Sequence, residues 1–306
     1  MFVVCLGGIS RLASPFDLSR GAKLLRVSEP LDQFERIRSE ADPLRQAKLA
    51  GELIAIYQQR SVELARLRKE AINRAASERG ISYSAIATEL GLTRGRITQI
   101  RQTAPPAERA FFGVGPITVA LPLREAAGRA LPVISSEDAR AAEQLTRLLT
   151  DLSFQVEQFR IPPDGSWQPR GDAVAICGPK SSPVTATAIS GDPLLTFEPD
   201  ISGNWTIRER DGSRVYESPM DGENERRWSD VAYVARLPLP ASGQSLLVIA
   251  GVHALGSVGA VDYLSRNLPD LYHQVGTRPF SMVVGSDHDG ETVTRSELLC
   301  PPRTHG

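Results

Sequence analysis

Apolar residues recur three and four positions apart over a long segment in the first third of the chain. The positions that share this spacing are Ala50, Leu53, Tyr57, Leu64, Leu67 and Ala71, with Arg60 at the one place that interrupts it. Residues at this spacing lie on one face of an α-helix. Asp42 and Pro43 are typical of a helix start, and Gly80 is typical of a helix end. The pattern therefore predicts a helix over residues 43–79, preceded by a shorter helix over residues 31–39.

The apolar stripe of this long helix has two interpretations. It is heptad-like over about three repeats, as in helices that pair with a second chain. A helix with the same pattern can also pack on other parts of its own chain. Both interpretations stay open at this point: a homodimer seam, or an intramolecular contact.

Two short helices are predicted within residues 81–101. Ser82 can cap the first, because its hydroxyl can accept a hydrogen bond from a free backbone N–H of the first turn. Gly91 can end that helix with a positive φ, and Thr93 can cap the second helix. The expected inner positions are Ala85, Ile86, Ala87, Leu90, Leu92, Ile97 and Ile100. The segment is therefore predicted to be a helix-turn-helix.

The outer face of the second predicted helix is basic and polar. It starts at Thr93 and carries Arg94, Arg96, Thr98, Gln99 and Arg101. Side chains of these types reach phosphates and base edges. We therefore predict that this face binds double-stranded DNA; the alternative is a helical hairpin that serves only packing.

This segment resembles the helix-turn-helix of sigma-factor region 4 and of small actinobacterial DNA-binding proteins. The matching stretches are residues 83–87, 90–93 and 96–100. The resemblance implies recognition of duplex DNA by the second helix. No signature of sigma region 2 is present, so the resemblance does not extend to a complete sigma factor.

Pro105 and Pro106 end the second helix, because proline cannot continue it. After them the sequence changes from helical patterns to a mixture of strand and helix patterns. Helices are predicted at residues 135–151, 258–264 and 268–275. Strands are predicted at residues 117–123, 154–159, 172–177, 194–198, 205–209, 214–217, 231–237, 246–250, 280–284 and 292–299. This order predicts a three-layer α/β domain with an antiparallel insertion.

The predicted fold class is therefore α+β with two domains. Residues 1–30 are expected to form a loosely ordered extension, and residues 31–105 an all-α helix-turn-helix domain with the long helix. Residues 107–300 are assigned to the α/β domain, and the tail at 301–306 is expected to be loose.

Charge is distributed unevenly along the chain. Residues 1–105 hold 17 Lys and Arg against 11 Asp and Glu, a net charge of +6. The remaining 201 residues hold 18 against 25, a net charge of −7. A basic segment suits a polyanionic partner, so DNA contact is expected in the first part only.

Composition narrows the environment of the protein. No apolar run reaches the roughly 18 residues of a membrane-spanning helix, so no membrane partner is expected. Cys5, Cys177 and Cys300 lack the spacing of a metal site, and so few cysteines suit a reducing cytoplasm. We expect a cytoplasmic protein without metal or cofactor.

Two loops after apolar strands are candidate ligand-binding segments, at residues 178–183 and 251–260. In open α/β sheets, ligands bind beyond the carboxyl ends of the strands. Small residues there let backbone N–H groups approach an anion, and the start of a helix adds partial positive charge. The candidate residues are Gly178, Lys180, Ser181, Ser182, Gly251, His253, Gly256 and Ser257. The pattern predicts a site for a small anionic ligand; the alternative is two tight turns.

Catalysis has less support. Ser257 or Cys177 could pair with His253 as nucleophile and base, but nothing in the sequence orients them. Residues 287–289, Asp-His-Asp, suit a metal or an exposed hairpin turn, and the turn is favoured. No catalytic residue and no metal ligand is assigned.

The second half of the chain also resembles an uncharacterised domain that follows helix-turn-helix units in actinobacterial proteins. The matching residues are 176–179, 230–233 with Arg236, and 247–251 with His253, Gly256 and Ser257. This resemblance bears on architecture alone.

The leading hypothesis is a DNA-binding transcriptional regulator whose α/β domain senses a small anionic ligand or a partner. The alternative is a nucleotide- or nucleoside-processing enzyme, possibly of a defence system, that the helix-turn-helix recruits to DNA. A defence or assembly protein that binds other subunits is a third hypothesis.

Overall fold

The mixed α/β fold is seen in a computed structural model that describes residues 30–126, 128, 130–169, 171–222, 228–239 and 245–305. The predicted loose extension lies, except for residue 30, outside the described residues. Among the described helices, none is long and apolar enough to cross a membrane.

The described residues from 30 to about 105 are mainly helical, as the hydrophobic pattern predicts. Their helices are α1 (Pro30–Arg38), α2 (Pro43–Arg79), α3 (Tyr83–Glu89) and α4 (Arg94–Thr103). Asp42 starts α2 by accepting a 3.1 Å hydrogen bond from the backbone N–H of Leu44. Gly80, with φ of +61°, ends it.

Contacts between residues divide the chain inside α2, between Gly51 and Glu52. The first unit holds α1 and the start of α2. The second holds the rest of α2, α3, α4 and all that follows. This division does not fall at residue 105, so a domain boundary there stays a prediction.

The buried face of α2 differs from the predicted stripe. Leu64 and Leu67 are 65% and 44% exposed. The buried side chains are Leu53, Gln59, Arg66 and Ile72. The helix therefore packs on its own chain through a more polar face, and Leu64, Leu67 and Ala71 of the predicted stripe remain on the surface.

A seven-stranded mixed sheet forms the centre of the second unit. Its strands are β1 (Ile117–Pro122), β2 (Val156–Ile161), β3 (Ala173–Ile176), β7 (Ser229–Pro238), β8 (Ser245–Gly251), β9 (Phe280–Asp289) and β10 (Thr292–Thr304), in the order β10-β9-β7-β8-β3-β1-β2. Strands β2, β1, β3 and β8 are parallel, and the others pair antiparallel.

Layers cover both faces of this sheet. On one face α5 (Ser136–Asp151), α7 (Ala254–Val275) and a 3₁₀ helix (Ala107–Phe112) share a core with the sheet. On the other lie α6 (Pro183–Ser190) and a small antiparallel sheet of β4 (Leu195–Pro199), β5 (Trp205–Glu209) and β6 (Val215–Tyr216). Because both faces of the central strands are buried, these strands appear in the sequence as continuous apolar runs.

Two helices differ from the prediction. Helix α6 was not predicted, because its sequence is rich in β-branched residues that favour strands. Ser182 caps it by accepting a 3.2 Å bond from the N–H of Thr185, and Pro183 fills the first turn. Helix α7 is continuous where two helices were expected. It passes through Pro269, since buried residues on both sides hold it against the sheet.

The strands near the C-terminus also differ. The tail expected to be loose pairs in β10 as far as Thr304, which lies opposite Phe280. Asp287 and His288 lie within β9 and not in an exposed turn, and His288 is buried. The turn sits further along, at Gly290 with φ of +56°. Strand β2 is shifted two residues from the predicted 154–159.

Candidate functional site

The caps of the helix-turn-helix lie where the sequence predicts them. Ser82 Oγ accepts a 3.2 Å hydrogen bond from the N–H of Ala85, and Thr93 Oγ1 accepts one of 3.2 Å from the N–H of Arg96. Gly91 adopts φ of +63° at the corner. These local contacts fix the two short helices relative to the turn between them.

The interior of this unit is small and apolar. Ile86 and Ala87 of α3 and Ile97 and Ile100 of α4 are buried against Ile72 of α2, with Leu92 partly buried at the corner. Ala85 and Leu90, which were predicted to face inward, are exposed. The inner face of α3 is centred on residues 86 and 87, because α2 packs on that side.

The outer face of α4 is open. Arg94, Arg96, Thr98 and Gln99 are exposed, and Arg96 Nη1 donates a 2.6 Å hydrogen bond to Gln99 Oε1. This bond fixes the arrangement of Arg96 and Gln99 relative to each other, and both are residue types that contact base edges in protein–DNA complexes.

Arg101 differs from the other predicted DNA-binding residues. Its Nε donates a 3.0 Å hydrogen bond to Oδ1 of Asn73 in α2, and its guanidinium lies 4.0 Å from the ring centre of Tyr83. Arg101 therefore joins α2, α3 and α4, and its partly buried guanidinium is bonded to its own chain.

A cleft lies at the carboxyl ends of the parallel strands. Strands β3 and β8 are neighbours in parallel register, so the two loops that follow them meet at one edge of the sheet. The cleft has a volume of about 160 Å³. Its lining comprises Arg124, Asp138, Cys177, Gly178, Pro179, Lys180, Ser181, Phe197, Trp205, Gly251, Val252, His253, Ala254 and Ser257.

Six of the eight candidate ligand residues line this cleft: Gly178, Lys180, Ser181, Gly251, His253 and Ser257. The other two do not line the cleft. Ser182 is buried as the cap of α6. Gly256 packs so closely on β7 that a Cβ there would overlap the carbonyl oxygen of Val231.

Sequence reasoning missed four side chains of the cleft. Arg124 follows β1. The rule that ligands bind beyond the carboxyl ends of parallel strands could therefore have identified it. Asp138 lies in the first turn of α5. Phe197 and Trp205 come from the antiparallel insertion, and no local pattern places them near the parallel strands.

Arg124, Asp138 and Cys177 form the floor of the cleft. Arg124 pairs with Asp138, and its Nη2 lies 3.0 Å from Cys177 Sγ. Burial raises the pKa of Asp138, and burial together with this carboxylate raises the pKa of Cys177 to about 11. Cys177 is therefore a neutral thiol near pH 7 and a poor nucleophile.

The buried carboxylate of Asp230 binds the backbone N–H groups at the start of α7. Its Oδ2 accepts hydrogen bonds from the backbone N–H groups of His253 (3.0 Å) and Gly256 (2.6 Å). Its Oδ1 accepts from Ser218 Oγ and the N–H of Val231, both at 2.8 Å. This carboxylate compensates the positive end of α7. The helix start that was expected to attract an anionic ligand therefore already holds an internal one.

His253 lies at the mouth of the cleft. Its Nε2 is 2.9 Å from Asp221 Oδ1. The hydroxyl of Ser257 accepts a 3.1 Å bond from the N–H of Gly251. In the described part of the chain, His253 is hydrogen-bonded to neither Ser257 nor Cys177, so neither nucleophile–base pair is formed.

Within the described ranges, no group of three or more His, Cys, Asp or Glu side chains lies close enough together to hold a metal ion.

Helix α2 contacts residues at the other end of the parallel strands, away from the cleft. Gln59 Nε2 donates a 3.4 Å hydrogen bond to the carbonyl of Ser153, and Gln155 Nε2 donates one of 2.8 Å to Gln58 Oε1. Ser153 and Gln155 precede β2, so these contacts lie at the amino ends of the parallel strands. The cleft and the part of α2 at Gln58 and Gln59 therefore lie at opposite ends of the parallel strands.

Comparison of the chain with protein-family models gives no match, and comparisons with curated proteins and with solved structures give none either.

Proposed function

We propose that the chain is a cytoplasmic DNA-binding transcriptional regulator with a helical DNA-binding part and an α/β part that senses a small anionic ligand. One observation carries the DNA-binding half. Helix α4 is capped, buries Ile97 and Ile100, and presents Arg94, Arg96, Thr98 and Gln99 to solvent. A recognition helix needs this combination of a fixed inner face and a free polar outer face. The net charge of +6 over residues 1–105 agrees with it.

The test uses the full chain, because α3, α4 and the α/β region belong to one unit. Binding to duplex DNA is measured by fluorescence anisotropy at several salt concentrations. The plot of log K against log salt has a negative slope, and each lost phosphate contact reduces the steepness of this slope by about 0.9. We expect the Arg94→Ala/Arg96→Ala protein to bind more weakly, with a slope smaller by up to about 2.

Arg147→Ala provides the matched control, because Arg147 is an exposed arginine on α5. It should leave the affinity and the slope unchanged. Equal DNA binding by the wild type and the Arg94→Ala/Arg96→Ala protein would contradict the proposal.

The ligand-sensing half rests on the cleft. Lys180 and His253 both line the cleft and Lys180 is exposed, so an anionic group would meet these side chains and not the start of α7. Binding is favoured over catalysis, since Cys177 is a neutral thiol and His253 is bonded to Asp221. With inorganic phosphate as the probe, Lys180→Ala should abolish binding without lowering the melting temperature, because an exposed lysine contributes little packing.

A second copy of this chain is the proposed partner of α2. Leu64, Leu67 and Ala71 are exposed on one side of the helix at heptad spacing. Pairing through this side would bury them and place two copies of α4 on one duplex.

The position of the cleft defines how regulation could work. Because the cleft and the part of α2 at Gln58 and Gln59 lie at opposite ends of the parallel strands, a ligand can change DNA affinity only by favouring one of two arrangements of the packed core. The ligand would not touch DNA or the helix-turn-helix itself.

A further inference from the structure

An aromatic wall closes one side of the cleft. Phe197 of β4 and Trp205 of β5 lie with their ring centres 5.8 Å apart and their planes at 77°. Phe197 is buried, whereas Trp205 is only partly buried and lines the cleft. The antiparallel insertion thus brings a partly open indole to a site that is otherwise built from strand-end loops.

Charged groups lie at two depths around this wall. Asp138 and Cys177 are almost fully buried at the floor, where Arg124 joins them. Lys180 and His253 lie at the mouth, and the side chain of His253 is 40% exposed. The floor offers a donor and an acceptor side by side, and the mouth offers cationic and donor groups.

The volume limits what fits inside. A cavity of roughly 150 Å³ accommodates a benzene molecule, so the 160 Å³ cleft has room for about one planar ring. Inorganic phosphate alone has no aromatic face to stack on the indole of Trp205. A larger ligand must extend through the mouth, past Lys180 and His253.

The balance of charge limits the ligand further. Arg124 and Lys180 are opposed by Asp138 and Asp221, so the formal charge of these four side chains is zero. Such a site does not attract a polyphosphate, whose several charges would meet the two carboxylates. A ligand with one phosphate and an uncharged aromatic body fits better.

We propose that the cleft binds a nucleoside monophosphate, with its base against Phe197 and Trp205 and its phosphate at Lys180 and His253. The guanidinium of Arg124 and the carboxylate of Asp138 face the polar edge of the base. This inference rests on the proposed ligand-sensing function and adds the chemical class of the ligand. Stacking accepts any base, because every base has an aromatic face.

The experiment compares AMP, CMP, adenosine and inorganic phosphate by calorimetric titration of the full chain. Stacking of one base contributes roughly 1–3 kcal/mol, which is about 5- to 150-fold in affinity. AMP and CMP should therefore bind about 5- to 150-fold more tightly than phosphate, which lacks the base, and also more tightly than adenosine, which lacks the phosphate. In a Trp167→Phe/Trp228→Phe protein, where Trp205 is the single tryptophan, AMP should quench the indole fluorescence.

Variants separate the two ends of the ligand. Trp205→Ala should reduce the affinity for AMP to about that for phosphate, while Trp205→Phe retains most of it and shows that the site is folded. Trp228→Ala is the control, because Trp228 is exposed and does not line the cleft. Lys180→Ala should weaken the binding of AMP and leave the affinity for adenosine unchanged.

Each other outcome has a distinct meaning. Equal affinities for phosphate and AMP, or unchanged AMP affinity in Trp205→Ala, would overturn this inference and leave the anion site standing. Absence of binding by all four compounds would overturn both the inference and the ligand-sensing half of the proposed function.

Discussion

Arg109 Nη2 donates a 2.8 Å hydrogen bond to Gln59 Oε1, and both side chains are buried. Arg109 belongs to the 3₁₀ helix that precedes the sheet, and Gln59 belongs to α2. Arg109 Nη1 also donates to Glu63 Oε2 at 3.1 Å, and its guanidinium lies 3.8 Å from the ring centre of Phe154. One arginine thus joins the helical region to the α/β region.

Replacing this arginine should destabilise the protein strongly. Arg109→Ala leaves the buried Gln59 and the partly buried Glu63 without one of their partners, and breaking such a pair costs about 3–5 kcal/mol. Urea unfolding measures the free energy. In the control, Arg147→Ala removes an exposed pair with Glu143 and should change it by less than about 1 kcal/mol. Similar losses in the two variants would show that the Arg109 contacts do not hold the regions together.

Asp230 should make the stability of the protein depend on pH. Burial raises the pKa of Asp230 to about 6, although hydrogen bonds from Ser218, Val231 and Gly256 oppose this. The unfolded chain ionises this group near its ordinary pKa of about 3.9. The folded state therefore binds the proton more tightly. The resulting stabilisation is complete below about pH 4 and is lost as the pH rises through about 6.

Asp230→Asn isolates this contribution, because asparagine does not titrate. The free energy of unfolding of the wild type minus that of Asp230→Asn should decrease between pH 4 and pH 7. Urea unfolding at several pH values measures the difference, in which the other titrating groups largely cancel. A difference that stays constant or rises with pH would show that folding does not raise the pKa of this carboxyl group.

The exposed side of α2 provides a test of dimerisation. Leu64→Asp should convert dimers to monomers in sedimentation experiments and weaken binding to a DNA with two half-sites. The stability of each chain should change little, because Leu64 is 65% exposed. Leu131→Asp, at a similarly exposed leucine outside α2, should have neither effect. A monomeric wild type would exclude the homodimer.

Arg101 should behave differently from the exposed arginines of α4. Arg101→Ala removes the hydrogen bond to Asn73 and the contact with Tyr83, so we expect a loss of about 1 kcal/mol in unfolding free energy. The salt dependence of DNA binding should keep its wild-type slope, because the guanidinium is bonded to its own chain. A slope reduced by about 0.9 would instead place Arg101 on a phosphate.

Much of the helical region was predictable because its signals are short-range. The caps at Ser82 and Thr93 and the turn at Gly91 each depend on atoms within four residues along the chain. The same holds for the end of α2 at Gly80. The buried strands β3 and β8 were predictable for a related reason, since strands covered on both faces must be apolar throughout.

Errors appeared where contacts between distant residues decide the outcome. Leu90 has a suitable residue type for an inner face, yet α2 packs beside Ile86 and leaves Leu90 in solvent. Gln59 is buried in α2 while Leu64 and Leu67 are exposed, because hydrogen bonds with the distant residues Ser153 and Arg109 compensate the polarity of Gln59. No periodic pattern records such a partner.

The sequence by itself determined the positions of the helix caps, the basic face of α4 and the strands whose ends carry Cys177 and Gly251. These depend on local backbone geometry and on burial that every residue of a strand shares. Only the tertiary structure decided that the two loops meet, that Asp230 compensates the start of α7, and that Trp205 closes the cleft. Those relations join residues far apart in the chain, and they are set by strand order and by packing of the insertion on the sheet.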